Sequence, residues 1–262
     1  MERLFVIKIG GNVLDDPASL AGCLAQFAGI ADRKILVHGG GRIATRIGEQ
    51  MGIKAIYVDG RRVTDEPTLN LVTMVYGGLV NKQIVAKLQA LGSNSIGLTG
   101  ADARIIPALK RIGGETDFGF AGEVNPAEVS ADTCRLLLEH GLVPVFAPLT
   151  FESSGQMLNT NADTIASALA IALAGVYRVR LIYCFEKKGV LERPGDDQSV
   201  IPRMNQLRFD SLKAAGILTA GILPKLENAF EAIRMGVAEV LIGEASQLAL
   251  NTTDKVTGTL IF

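Results

Sequence analysis

Leu4-Phe5-Val6-Ile7-Lys8-Ile9-Gly10-Gly11-Asn12 opens the chain with an apolar run that one cation interrupts. Five of the six residues from Leu4 to Ile9 are apolar, the pattern of a parallel strand buried on both faces. A buried strand normally holds no cation. Two glycines follow at once, and glycine lets backbone N–H groups come close to a ligand. The run therefore predicts a strand that delivers Lys8 to an anion at the carboxyl end of a sheet. The competing reading is a strand-end turn with an exposed lysine. The stretch is neither a P-loop nor a GxGxxG fingerprint.

Outward from this strand the pattern alternates. Apolar strand candidates lie at 3–9, 34–38, 94–98, 143–147, 178–183 and 238–242. Amphipathic helix candidates lie near 17–31, 41–51, 66–90, 130–140, 161–174, 205–216 and 224–236. Alternation of this kind predicts an α/β fold with a mainly parallel sheet and helices on both faces. The stretch 100–126 departs from the rhythm and reads as short strands, Ile105–Leu109 and Phe118–Glu123, joined through Gly113-Gly114. No long linker or repeat appears. The expectation is one compact unit of two lobes, 1–174 and 175–262.

The 262 residues suffice for a sizeable core. A formal net charge of −1 supplies no basic surface for nucleic acid or for a membrane. Any anion site must be local. Cys23, Cys134 and Cys184 are scattered, and His38 and His140 are the two histidines, so a structural zinc site is not expected. The cysteine usage fits a reducing cytoplasm. The chain enters its first strand without a signal-like leader, and the longest apolar stretch, Ile165 to Val176, is too short to span a bilayer.

Four further segments could carry chemistry. Val37-His38-Gly39-Gly40-Gly41-Arg42 places three glycines between a strand and a helix, where free N–H groups and the helix dipole favour a phosphate or carboxylate. A tight turn alone rarely needs three. His38 reads as a packed or hydrogen-bonded residue rather than a base. Gly60-Arg61-Arg62-Val63-Thr64-Asp65 offers arginine, the residue suited to bidentate carboxylate binding, although a solvated pair is the commoner fate. Asn159-Thr160-Asn161-Ala162-Asp163 leads into a helix, and capping accounts for one of these three polar groups. Lys225 follows Pro224 in a helix's first turn, where a cation opposes the dipole.

Two lysines, one arginine, two glycine turns, two asparagines and one aspartate leave no evident nucleophile–base pair and no metal cage. Phosphoryl transfer needs little more, because it rests on positioning and charge neutralisation. A carboxylate acceptor is already a nucleophile at pH 7, so a site without a base predicts an acyl phosphate product.

The segments KIGGN (8–12), VHGGGR (37–42), GRRVTD (60–65), VNK (80–82), GLTGAD (97–102), GFAGEV (119–124), VPVFAPLTF (143–151), LNTNADT (158–164) and GILPKLENA (221–229) resemble the amino acid kinase superfamily. Within it they resemble the acetylglutamate kinases of arginine biosynthesis, over nearly the whole chain. The resemblance implies a three-layer αβα sandwich with an open, mainly parallel central sheet. It implies an N-terminal lobe, 1–174, for the acylated glutamate and dimerisation, and a C-terminal lobe, 175–262, for ATP with Mg2+. Lys8 and Lys225 would neutralise the moving phosphoryl group, and Asp163 would orient both. Gly10, Gly11, Gly40 and Gly41 would offer amides to phosphates or substrate carboxylate. Arg62 and Asn159 would hold the substrate, with Asn161 lining the site. Glu186, Gly189, Leu191 and Thr219 would lie beside the nucleotide.

The chain departs from the family pattern in the nucleotide lobe. Phe185-Glu186-Lys187-Lys188-Gly189-Val190-Leu191 stands where a Ser/Thr-Asp-Val loop is usual, and Thr219-Ala220-Gly221-Ile222 is also atypical. Lacking the extra N-terminal helix of arginine-sensitive hexamers, the chain is expected to form a homodimer without arginine feedback. Aspartokinase, glutamate 5-kinase and UMP kinase fit less well. N-succinyl-L-glutamate is the alternative acceptor, with Arg61, Lys82 and Arg104 as candidates for its second carboxylate. A non-catalytic nucleotide-binding regulator on the same scaffold is the rival from another class.

Overall fold

The computed structural model describes residues 1–262 other than 59, 113–115, 194 and 219–221. In chain order the described strands are β1 (Arg3–Ile9), β2 (Arg33–His38), β3 (Ile56–Val58), β4 (Arg61–Val63), β5 (Ser95–Leu98), β6 (Leu109–Lys110), β7 (Gly122–Glu123), β8 (Val143–Phe146), β9 (Leu149–Phe151), β10 (Met157–Asn159), β11 (Arg178–Phe185), β12 (Arg203–Met204), β13 (Glu239–Glu244) and β14 (Thr259–Ile261). The described α-helices are α1 (Asn12–Asp15), α2 (Pro17–Ala28), α3 (Gly41–Gln50), α4 (Glu66–Val72), α5 (Asn81–Ala90), α6 (Ala131–Glu139), α7 (Ala162–Leu173), α8 (Gln206–Ala214), α9 (Leu223–Arg234) and α10 (Leu248–Asn251).

The central sheet runs in the order β12-β14-β13-β11-β1-β2-β8-β5. All its pairings are parallel except β13 with β14. The opening strand thus lies inside the sheet, with Lys8 in register with Val37 on one side and Tyr183 on the other. One sheet runs through both halves of the chain, because β1 pairs with β11.

Side chains on a strand alternate between faces. On β1, Leu4 and Val6 join the core that holds Cys134 of α6, Ile165 and Leu169 of α7, Phe209 of α8 and Leu226 of α9. Phe5, Ile7 and Ile9 join the opposite core with Leu24 and Phe27 of α2, Leu71 of α4 and Ile84 of α5. These are the three layers the alternation predicts. Lys8 continues the Leu4–Val6 face, the side that α7 covers. Ile165 and Leu169 are fully buried there, so truncating either to alanine costs about 2–5 kcal/mol. That anchoring fixes the α7 N-terminus, and with it Asp163, over the end of β1.

Local chemistry explains the helix boundaries. Asp16 caps α2, accepting from the Ser19 N–H at 2.8 Å, with Pro17 at the first position. Asp65 does the same for α4 through Thr68. The single helix expected over 66–90 forms, but its middle, Thr73–Val80, is π-helical. Gly77-Gly78 within it hold α-helical geometry weakly, and the wider turn seats Tyr76 in the interior. The strands expected at 105–109 and 118–123 are reduced to the pair β6–β7. Their Gly113-Gly114 connection lies outside the described residues. Two hairpins absent from the strand expectations, β3–β4 and β9–β10, stand beside the sheet.

Candidate active site

Two glycine turns end adjacent strands. A Cβ at Gly10 would stand 2.7 Å from Lys8 Nζ, so the bare residue lets the lysine fold over the turn. Gly11 follows with φ +45°, a backbone region that favours glycine. After β2, a Cβ at Gly40 would meet the Tyr76 ring at 2.8 Å. The turns are packed against each other: the Gly39 N–H donates to the Ile9 carbonyl at 2.8 Å. Helix α3 begins at Gly41 without a side-chain cap. Its first N–H groups are therefore free for a ligand.

His38 lies beneath the second turn, fully buried. Its Nδ1 donates to the Gly39 carbonyl at 2.7 Å, and Asn81 Nδ2 donates to its Nε2 at 3.1 Å. This network assigns the neutral tautomer. Burial drives its pKa down to about 4, and nearby Lys82 pushes the same way. His38 is a strut, not a base.

At the centre, Lys8 Nζ lies 2.8 Å from Asp163 Oδ1, and Lys225 Nζ lies 2.6 Å from Asp163 Oδ2. Burial alone would raise the Asp163 carboxyl; the two ammonium charges outweigh it and hold it at about 2. One carboxylate thus fixes two cations from opposite ends of the chain. The trio keeps one net positive charge at neutral pH. Lys225 stands in the first turn of α9 and lies over the rings of Phe185, at 5.6 Å, and Tyr183, at 5.9 Å. Those aromatic faces and Asp163 offset its unfavourable place on the helix dipole.

The two arginines of the 60–65 segment differ. Arg62 is buried and donates through Nη2 to the Gly41 carbonyl at 2.9 Å, to Thr45 Oγ1 at 2.8 Å and to the Tyr57 hydroxyl. Its guanidinium stacks on the Tyr57 ring at 4.7 Å. Asn159, on β10, donates from Nδ2 to Thr64 Oγ1 at 2.9 Å. Asn161 is the α7 cap, its Oδ1 accepting from the N–H groups of Asp163 and Thr164.

Arg62, Asn159 and Asn161 line a cavity of about 290 Å³ together with Lys8, Gly10, Gly11, Gly40, Gly41 and Asp163. A second cavity of about 150 Å³ is lined by Lys8, Gly10, Gly11, Val13, Asp163, Tyr183, Cys184, Phe185, Glu186 and Lys225. Lys8, Gly10, Gly11 and Asp163 belong to both. The structure brings together the catalytic and acyl-side candidates, and Glu186 with them. Gly189 instead packs under Thr259, where a Cβ would meet Thr259 Oγ1 at 2.7 Å. Leu191 forms a bridge with Val200. Neither lines the two cavities. Thr219 lies outside the described residues.

Sequence reasoning missed Tyr57 and Tyr76 on the larger cavity and Tyr183 on the smaller, and gave no role to Gly60, Gly122, Pro148, Thr160 and Phe185, which lie within the quoted segments. Tyr57 and Tyr76 reach it from a hairpin and from the π-helical segment, and neither element leaves a spacing signal. Phe185 was legible as the residue ending an apolar strand beside the altered loop.

The model of the amino acid kinase family matches residues 3–244. The chain belongs to the amino acid kinase family. Similar members include "Acetylglutamate kinase" of Bacteroides thetaiotaomicron, 52% identical over 97% of this chain and 98% of that one. The protein of the same name from Cytophaga hutchinsonii is 50% identical over 99% and 98%. Among solved structures, smu.665 from Streptococcus mutans superposes with a TM-score of 0.78 at 28% identity, covering 99% of this chain and 98% of that one. The kinase resemblance and the αβα fold expected from the sequence are thereby borne out. No described helix is long and apolar enough to cross a membrane.

Proposed function

We propose that this amino acid kinase family member transfers the γ-phosphoryl group of ATP to the side-chain carboxylate of N-acetyl-L-glutamate, giving an acyl phosphate in arginine biosynthesis. The observation that carries this reading is the floor common to the two cavities, Lys8, Gly10, Gly11 and Asp163. A group passing from one cavity to the other would cross these shared residues. Two relatives of about 50% identity, covering nearly the whole chain, bear the name of that activity.

The chemistry follows from the arrangement. The acceptor carboxylate attacks phosphorus in line, the bond to the ADP oxygen breaks, and no proton need be removed from the nucleophile. Lys8 and Lys225 balance charge on the equatorial and leaving oxygens. Asp163 holds both ammonium groups in place before substrates arrive, so little reorganisation remains for the reaction itself. The glycine amides donate to phosphate oxygens. Magnesium would come with the nucleotide and would offset the charge of its phosphate oxygens. Asp163 is committed to its two lysines, and Glu186 is the other carboxylate on the smaller cavity. Residues 1–174 supply the larger cavity entirely, and residues 183–186 and 225 add the walls of the smaller one. That division supports an acyl lobe, 1–174, and a nucleotide lobe, 175–262. A cytoplasmic homodimer is part of the proposal; exposed Met74 and Leu79 on the 66–90 helix offer it apolar contacts.

A specific observation favours a second acceptor, N-succinyl-L-glutamate. Arg61 lines the larger cavity and has no ion-pair partner among the described residues. A second carboxylate on the acyl group would pair with Arg61. Incubation with Mg–ATP and each acylated glutamate, followed by hydroxylamine trapping, tests the assignment. Hydroxamate with the acetyl form supports it. A strong preference for the succinyl form moves the substrate alone. Hydroxamate with neither overturns the kinase reading and leaves the nucleotide-binding regulator.

A further inference from the structure

Arg42 is the first residue after the triple-glycine turn and lies in the first turn of α3, where the helix dipole disfavours a cation. Three acceptors hold it. It donates through Nη1 to the Asn12 side-chain oxygen, and its Nη1 lies 3.5 Å from Asp15 Oδ2. Its Nη2 lies 3.9 Å from Glu186 Oε1. Arg42 lines the larger cavity and Glu186 the smaller. Among the described residues, this is the ion pair that joins a residue confined to one cavity to a residue confined to the other.

The contacts differ in strength. Asn12 and Asp15 belong to α1, which follows the Gly10-Gly11 turn directly, and anchor the guanidinium beside that turn. The Glu186 contact is long and joins two side chains at least half exposed, a geometry worth little against a stronger anion. A triphosphate bound in the smaller cavity, which Glu186 lines, is such an anion. The lysine pair can supply only one net positive charge, because Asp163 neutralises the other.

We propose that Arg42 is a third phosphate-binding cation of this site, and that Glu186 holds it until nucleotide displaces the carboxylate. The inference rests on the kinase reading above and deepens it. Arginine suits the role, since its planar fork engages two phosphate oxygens at once. With ATP bound, Arg42 leaves Glu186, keeps Asn12, and bridges the glycine turn to the β- and γ-phosphoryl oxygens. Glu186 is then a competitor for Arg42, so that removing its charge favours nucleotide binding.

The test is a double-mutant cycle in the full chain, read as kcat and as KM for ATP and for the acylated glutamate. Arg42→Gln is expected to raise KM for ATP about tenfold or more and lower kcat, with a KM for the acylated glutamate within about twofold of wild type. Arg42→Lys should recover part of the loss. Glu186→Gln should lower KM for ATP about two- to fivefold, and this gain should vanish in the Arg42→Gln background. Arg42→Gln with both ATP parameters within twofold of wild type overturns the inference. So does a raised KM for ATP in Glu186→Gln, which would make Glu186 a nucleotide ligand rather than a competitor. An inactive wild-type enzyme with either acylated glutamate refutes the kinase reading itself, which separates the two failures. Circular dichroism of each variant checks that the fold is retained.

Discussion

Replacing Asp163 by asparagine removes one charge and almost no volume from the centre of the site. The carboxylate holds Lys8 at 2.8 Å and Lys225 at 2.6 Å. Its folded pKa is about 2, against an ordinary 3.8. At about 1.4 kcal/mol per pKa unit, that gap corresponds to about 2 kcal/mol of native-state stability. The sign follows from the lowered pKa. The contribution is complete above the unfolded value near 4 and is lost as pH falls toward 2. Asp163→Asn should therefore unfold in urea with about 2 kcal/mol less stability at pH 7, or a Tm about 4–8 °C lower. At pH 3 the gap between variant and wild type should shrink to about 1 kcal/mol. Phosphoryl transfer should suffer more than stability. Both ammonium groups lose their tether, and a misplaced electrostatic group costs about 100- to 1,000-fold in kcat. Chemical denaturation at the two pH values, beside the hydroxamate assay, measures both effects. A variant as stable as wild type at pH 7, with the same stability loss between pH 4 and 2, would refute the claim that this carboxylate works by binding two cations.

Lys8→Ala should reduce kcat about 100- to 1,000-fold with a small change in either KM, because its charge matters most in the transition state; initial-rate kinetics showing a KM effect alone would contradict that role. Gly10→Ala places a methyl group 2.7 Å from the present position of Lys8 Nζ, so kcat should fall about tenfold or more while urea stability stays within about 1 kcal/mol. His38 is buried neutral with a pKa of about 4 against an ordinary 6.5. Its share of stability is complete above pH 6.5 and declines as pH falls toward 4, by about 3 kcal/mol in all. His38→Gln should flatten the urea-stability profile across that interval, and an unchanged slope would rule out a neutral buried imidazole.

Periodicity carried the architecture well. The six apolar runs from 3–9 to 238–242 all became strands of the central sheet, because burial on both faces writes a run that needs no partner to be read. The site was legible where a residue violated its local rule. Lys8 interrupts a buried strand, three glycines exceed one turn's needs, and Lys225 opposes a helix dipole. Arg62 was visible only as half of a charged pair; its burial depends on Tyr57 and Thr45, which lie on separate elements. Asn161 shows the opposite case, a polar residue whose capping accounts for its side-chain oxygen. Tyr76 was hidden, since a π-helical segment leaves no signal in the residue period. Gly189 and Leu191 entered through family resemblance, and their packing against Thr259 and Val200 reflects support of the loop rather than contact with either cavity.

Lys8 stands on β1, bonded on both sides within the sheet, whereas Arg61 and Arg62 stand on the small hairpin β3–β4 and Glu186 on the loop after β11. On the proposed reading, the first of the phosphoryl-neutralising cations stands on an interior strand, and the arginines proposed for the acyl side stand on a hairpin outside the central sheet. On that reading, natural variation would exchange the acceptor by rewriting a three-residue strand, with Lys8 left in place. The same placement also predicts where drift is tolerated: a new acyl group can be accommodated one hairpin side chain at a time, each intermediate protein still folded and still able to move phosphate.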